Sequence, residues 1–255
     1  MSGGGITSGD FSRTAEAYAS VMVPALEPVA AEVVRCAMLR ADETILDVGT
    51  GTGTAARMAL GDGRRVIGLD AAPGMLEIAR QHASGVELIE ADFSRIPLGD
   101  GSVDVVLAVH ALLFATDRVG ALGEWLRVTA PGGRVSLSVP GPGQVVPSAV
   151  FGEVYDRYGT EWQRDDYPDR PQMARWASDA GWTEVETAAD AAAVIPLADE
   201  AAFRTWLRVG RTVTSWSADR VEAFARDLMA VSPRGPDGSF RIPFGALFLT
   251  ARRPS

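Results

Sequence analysis

The chain has 255 residues, 47% of them hydrophobic, and a formal net charge of −9, the balance of one folded domain with a sizeable core. That charge argues against a nucleic-acid surface, which needs clustered Lys and Arg, and against adhesion to anionic membranes. With Cys36 the only cysteine and His82 and His110 the only histidines, no intrachain disulfide or cysteine-based metal cluster can form, and little is left for zinc.

The first ten residues, MSGGGITSGD, lack a basic n-region and an apolar h-region. They read as a flexible tail rather than a signal peptide. No apolar run approaches the roughly 20 residues of a membrane span, so a cytoplasmic protein without membrane insertion is expected. All 24 basic residues are arginine, which excludes a lysine Schiff base and the lysine of a phosphate loop. Asparagine is absent too. Both residues use AA-starting codons, so a GC-rich bacterial genome accounts for the bias.

Phe11 to Arg40 shows helical spacing of apolar residues, with Pro24 and Pro28 expected to break it into pieces. From Thr44 the pattern alternates strand and helix. The strands are read as Thr44–Val48, Arg65–Asp70, Val86–Glu90, Val103–Val109 and Gly133–Val139. The helices between them are Gly53–Leu60, Pro73–His82 and Arg118–Val128. Near-continuous apolar strands such as VDVVLAV are covered on both faces. The alternation predicts an α/β fold with a doubly wound, mostly parallel sheet, its ligand edge at the strands' C-terminal ends. Two segments interrupt the rhythm. Pro140–Pro171 carries Tyr155 and Trp162, and Leu197–Val231, read as helical, carries Trp206. Each is either an apolar stripe that buries inserted helices or a lid over an apolar substrate; Tyr155, Trp162 and Trp206 are the candidate substrate residues. Gln172–Ala180 reads as a helix, Glu184–Ile195 as one strand and Phe244–Ala251 as the last strand. There are no internal repeats and no reason to split the chain into separate domains.

The chemistry concentrates after the first strand. TILDVGTGTGT ends an apolar run in Asp47, then places Gly49, Gly51 and Gly53 at every second position before a helix start. Such a turn lets a ligand approach the backbone and offers it free N–H groups. Asp70 ends the second strand, where an acid suits both hydroxyls of a ribose. Asp92 and Phe93 follow the third, where a carboxylate beside an aromatic ring suits adenine. Each acid is otherwise a helix cap or a solvated loop residue.

Four ordered segments, DVGTGTG, GLDAAPGML, EADFSRIPLGDGSVDVVLAVHALLF and RVTAPGGRVSLSV, resemble the successive motifs of class I S-adenosylmethionine-dependent methyltransferases. The resemblance runs from about Thr44 to Val139 and is nearest the subgroup that includes quinone-biosynthesis and small-molecule enzymes. It implies a seven-stranded sheet in the order 3-2-1-4-5-7-6, with the last strand antiparallel, and S-adenosyl-L-methionine as cofactor. It also implies a helical cap over residues 1–40, a cofactor-binding core over 41–140, and substrate-side insertions over 141–171 and 197–231 of one domain. By the same resemblance Gly49, Thr50, Gly51 and Gly53 form the floor under the methionine and ribose, and Asp47 lies near the amino group. Asp70 holds the ribose hydroxyls, with Ala71 and Met75 beside adenine. Asp92 faces the adenine amino group and Phe93 its edge. Val109 or His110 approaches the reacting methyl, and His110 is a candidate general base or a residue lining the substrate. Tyr18 either closes over the cofactor or packs its helix on the sheet. The implied activity is methyl transfer to a small-molecule acceptor, apolar or aromatic. Two alternatives stay open: a reaction such as cyclisation on the same cofactor, and a nicotinamide-dependent oxidoreductase. The last is disfavoured because Asp47 would repel a pyrophosphate and because Thr54 stands where G-x-G-x-x-G has its final glycine.

Overall fold

The computed structural model describes residues 8–141, 148–159, 168–190, 194–209, 213, 216–243 and 245–255. In chain order come α1 (Ser8–Cys36), β1 (Thr44–Val48), α2 (Thr54–Ala59), β2 (Arg65–Asp70), α3 (Pro73–His82), β3 (Glu87–Glu90) and β4 (Val103–Val109). A 3-10 turn (Ala111–Phe114) leads to α4 (Arg118–Val128), β5 (Thr129–Pro140), α5 (Ser148–Arg157), α6 (Arg170–Asp179) and β6 (Thr183–Asp190). Then follow β7 (Val194–Leu197), α7 (Glu200–Val209), α8 (Ala218–Val231), β8 (Phe240–Pro243) and β9 (Ala246–Arg252).

Seven strands form one sheet in the order β3-β2-β1-β4-β5-β9-β6. The first five are parallel, and β9 runs antiparallel between β5 and β6. This is the expected order, with β9 as the seventh strand of the sheet. Ile45, Leu46 and Val48 of β1 are all fully buried because helices cover both faces. One face is closed by α4 and α6 around Trp125, whose indole N–H donates to the Phe93 carbonyl at 3.1 Å. The other is closed by α1 and α2 through Val29, Val33, Ala56 and Ala59.

Contrary to the sequence expectation, α1 is continuous through Pro24 and Pro28. Each proline removes a hydrogen bond to the carbonyl four residues back. Ser20, Pro24 and Pro28 are all exposed, so the freed carbonyls of Ser20 and Pro24 sit on the solvent side. The opposite side buries Val21, Ala25, Leu26, Val29, Ala30 and Val33. The carbonyls just after the end of α1 are held by Arg134 of β5, which donates to Ala37 and Met38 and pairs with both Glu43 oxygens at 2.8 Å. By length and composition α1 is also apolar enough to cross a membrane, which the residue-by-residue reading missed. Its buried residues contact the protein's own cores.

The second departure is the segment read as one strand over 184–195. Main-sheet pairing ends at Asp190, and Val194–Leu197 instead pairs antiparallel with β8 in a separate two-stranded sheet. That small sheet, α5, α7, α8 and the middle of α1 enclose a second core around Phe203, Phe224 and Phe240, each fully buried. The interruptions of the strand–helix rhythm therefore build a compact layer of their own on α1.

Candidate cofactor site

The three glycines after β1 do three different things. All have positive φ: 64° at Gly49, 55° at Gly51 and 84° at Gly53. A Cβ on Gly49 would lie 2.6 Å from the Ala111 Cβ, so this glycine lets the 3-10 turn after β4 sit on the loop. A Cβ on Gly53 would lie 2.8 Å from the Ala83 Cβ, so this one seats α2 against the end of α3. At Gly51 a Cβ would meet nothing closer than the Gly49 carbonyl at 4.0 Å. Gly51 alone leaves open space above its backbone, the cradle a ligand needs.

Asp47 ends inside this turn and is 1% exposed. Its Oδ2 accepts from the Thr50 hydroxyl at 2.7 Å and from the Ala56 N–H at 3.1 Å, tying β1, the loop and α2 together. Gly68 of β2 makes room for Thr50, whose hydroxyl would lie 3.0 Å from a Cβ there. Burial pushes the Asp47 carboxyl up to about 7, against those two hydrogen bonds and with help from the charge of Asp70. Burial also raises Asp70, although the N–H groups of Gly51 and Ala72 donate to it at 2.8 Å each. The phenol of Tyr18 is pushed above its ordinary range by burial and then by Asp70.

Tyr18 and Asp47 meet at a cavity of about 40 Å³ whose lining also includes Gly49, Thr50, Gly51 and Val109, while Asp70 stands beside it on the Gly51 N–H. The lining also takes in Val23, Leu26 and Ala30 of α1, Thr52 of the loop and Thr54 at the start of α2, residues the motif-based reading did not single out. The apolar spacing of α1 was the signal available for Leu26 and Ala30. No basic side chain lines this cavity among the described residues. The buried Asp47 carboxyl in this lining and the half-buried Asp70 carboxyl on the Gly51 N–H, with no basic side chain among the lining residues, suit a ligand that carries positive charge. They oppose a pyrophosphate.

The other candidates are placed as follows. Met75 is buried with Ala15 and Ala72, packed by Phe11 and Tyr18 of α1, and Ala71 is exposed. Asp92 is exposed and accepts from both the N–H and the hydroxyl of Ser94. The Phe93 ring meets Trp125 edge-on at 6.0 Å, so it is packed into the core. His110 has a left-handed backbone, φ 58°, donates its N–H to the Ser138 carbonyl at 3.0 Å and holds Nδ1 3.2 Å from the Ser138 hydroxyl. It is buried, does not line the cavity, and burial lowers its pKa to about 4.

Of the candidate substrate residues, Tyr155 is 3% exposed and packs edge-on against Phe224 at 4.9 Å. Trp206 packs on Phe203 at 5.3 Å in the same core. Their placement corrects the expectation that these rings line the cavity, because the second core needs large apolar groups and takes both. Trp162 lies outside the described residues.

Residues 46–137 match the family described as a methyltransferase domain. Demethylmenaquinone methyltransferase of Thermus thermophilus is 42% identical over 129 residues, covering 48% of this chain and 57% of that one. Malonyl-[acyl-carrier protein] O-methyltransferase of Serratia marcescens is 35% identical over 124 residues, covering 49% and 45%. Demethylmenaquinone methyltransferase of Beutenbergia cavernae is 31% identical over 165 residues, covering 57% and 68%. The chain belongs to the methyltransferase family. It spans about half the length of the first two of these relatives. Among solved structures, phosphoethanolamine N-methyltransferase 2 of Haemonchus contortus in complex with S-adenosyl-L-methionine has a TM-score of 0.62 at 17% identity, covering 99% of this chain and 61% of that one. The [4+2]-cyclase SpnF has a TM-score of 0.57 at 20% identity, covering 89% and 81%. These likenesses show the shared fold, which by itself does not fix the reaction.

Asp47 gives the protein a measurable liability. Its folded pKa lies above the unfolded value of 3.8, so its contribution to stability is full below pH 3.8 and is lost as pH rises to about 7. Asp47→Asn keeps an acceptor for Thr50 and Ala56 and removes that loss. Between pH 4 and 8 in the ligand-free protein, the variant should gain up to about 4 kcal/mol on the wild type. Denaturant unfolding across that range checks it, and parallel curves for the two proteins would contradict it.

Proposed function

We propose that the protein transfers a methyl group from S-adenosyl-L-methionine to a small-molecule acceptor, apolar or aromatic. The observation that carries this reading is the cavity at Gly51, lined by the buried Asp47 and by no basic side chain among the described residues, with the half-buried Asp70 accepting the Gly51 N–H beside it. Asp47 would hold the ligand's ammonium group, and Asp70 the ribose hydroxyls through its remaining lone pairs. Gly49, Thr50, Gly51 and Gly53 form the floor, while Ala71, Met75, Asp92, Phe93 and Val109 belong to the adenine and methyl surroundings. Tyr18 and the apolar side of α1 cover the cavity and exclude water. The cofactor, when bound, supplies a methyl on a sulfonium, an activated leaving group. What remains for the chain is to hold the acceptor in line, and alignment alone supplies a large acceleration.

The named acceptors of the relatives, demethylmenaquinone and malonyl-[acyl-carrier protein], support a small-molecule or carrier-borne substrate here. The charge of −9 supports a protein that binds neither nucleic acid nor an anionic membrane, acting in the bacterial cytoplasm. Isothermal calorimetry with S-adenosylmethionine and S-adenosylhomocysteine, against NAD, tests the cofactor. Asp70→Ala should lose about 2–4 kcal/mol of affinity for both adenosyl ligands. Binding of NAD alone would overturn the reading, as would unchanged affinity in a folded variant. Transfer itself is read as a mass gain of one methyl on the acceptor.

His110 is neutral down to about pH 4, so it does not switch on near 6.5 as an unperturbed imidazole would. A base this weak contributes less than the 10²–10⁴ typical of general catalysis. Turnover should show no inflection near pH 6.5, and His110→Gln should lower it by less than about tenfold. An inflection there that disappears in the variant would make His110 the base.

A further inference from the structure

Arg118 is the first residue of α4, and it is the wrong charge for that place. The start of a helix carries partial positive charge and disfavours a cation. The guanidinium is half-buried, with its ζ-carbon 5.0 Å from the centroid of the Trp176 ring on α6. Its Nε is buried and has no hydrogen-bond partner among the described residues. Other sequestered arginines are satisfied: Arg134 pairs with Glu43 and Arg127 with Glu124 and Asp100. The acid next to Arg118 is already engaged, since Asp117 accepts from the Gly120 N–H and caps α4. Arg118 is thus a cation fixed by an aromatic plate, at a helix start, with no anion paired to it among the described residues.

Its position gives this arrangement a use. The 3-10 turn begins at Ala111, which sits on Gly49, and ends at Phe114, which is 46% exposed and meets Phe11 of α1 edge-on at 5.2 Å. Four residues after Phe114 comes Arg118. The loop from β4 to α4 therefore runs along the ligand edge from the glycine turn, past an exposed aromatic ring, to an unpaired guanidinium.

We infer that Arg118, held on Trp176, is the specificity determinant for an acceptor with an apolar body and a terminal carboxylate or phosphate. The anion meets the guanidinium fork and the first N–H groups of α4, while the apolar body lies along Phe114 toward the cavity. This rests on the methyl-transfer reading above and names the class of acceptor. A carboxylate or phosphate is the group that such a fork and helix start recognise.

The test uses the full chain saturated with S-adenosylhomocysteine, with phenyl phosphate, benzoate and benzyl alcohol as probes. The ¹⁵N–H signal of Arg118 Nε is followed by NMR. A saturable shift with at least one anion and none with the alcohol is expected, and the preferred anion tells phosphate from carboxylate. By calorimetry, Arg118→Gln should weaken that anion by at least about tenfold with S-adenosylhomocysteine affinity unchanged, and Trp176→Phe should weaken it less. No shift with either anion would overturn the inference. So would equal anion affinity in Arg118→Gln, including the case where only its thermal stability falls, which would make Arg118 a clasp between α4 and α6. A chain that binds no S-adenosylhomocysteine refutes the methyl-transfer reading separately, and the same titration of the unliganded protein still judges Arg118.

Discussion

Asp47 is the group on which the site depends. One oxygen of its carboxylate holds the Thr50 hydroxyl and the first turn of α2, so the path of the loop from strand to helix is set by this buried acid. The same burial drives its pKa to about 7. A carboxylate placed there for architecture alone is replaceable by a neutral acceptor, since two hydrogen bonds do not need a charge. Together with Asp70 on the next strand, it makes the floor of the cavity a place where positive charge is favoured. Local geometry and ligand preference come from one side chain.

The parts around it follow from that placement. Parallel pairing of β1 with β2 and β4 brings Asp47, Asp70 and Val109 to one edge. Ala111 reaches the loop only because Gly49 has no side chain, and α2 reaches α3 only because Gly53 has none. Gly51 is left as the open position. On top lies α1, which spans the first core, the cavity and the second core as a single rod. Its near approach is direct: a Cβ on Gly74 would lie 2.6 Å from the Ser12 carbonyl, and the Gly74 N–H donates to the Ser12 hydroxyl. The cover of the cavity is therefore pinned to the start of α3, beside Asp70.

Much of this was legible in the sequence, and the limits were physical. The β1, β2 and β4 segments announce themselves because short, nearly continuous apolar runs alternating with helical spacing leave few alternatives. The prolines of α1 mislead because part of the cost of a proline falls away where water can reach the freed carbonyl, and exposure is a tertiary property. The segment 184–195 misleads because pairing of Val194 with Pro243 joins positions almost fifty residues apart, which no local period encodes. Tyr155 and Trp206 show the same limit at the level of side chains. An aromatic stripe is equally consistent with a lid and with a core, and only packing against Phe224 and Phe203 decides. His110 was visible as a residue at the end of β4, while its depressed basicity comes from burial beside Ser138. Arg118 carries no signal in the sequence, because an arginine at a helix start is ordinary until the structure shows it half-buried and without an acid among the described residues.

The charge of the cavity floor is the central claim, and linked proton release measures it. Calorimetric titration with S-adenosylhomocysteine near pH 7 is repeated in two buffers of different ionisation enthalpy. The ligand's ammonium group should draw the proton off Asp47, so a fraction of a proton is released per molecule bound, and release should vanish in Asp47→Asn. Binding with no buffer dependence, or with the same dependence in the variant, would mean that Asp47 does not meet the positive charge and that the site is organised in another way.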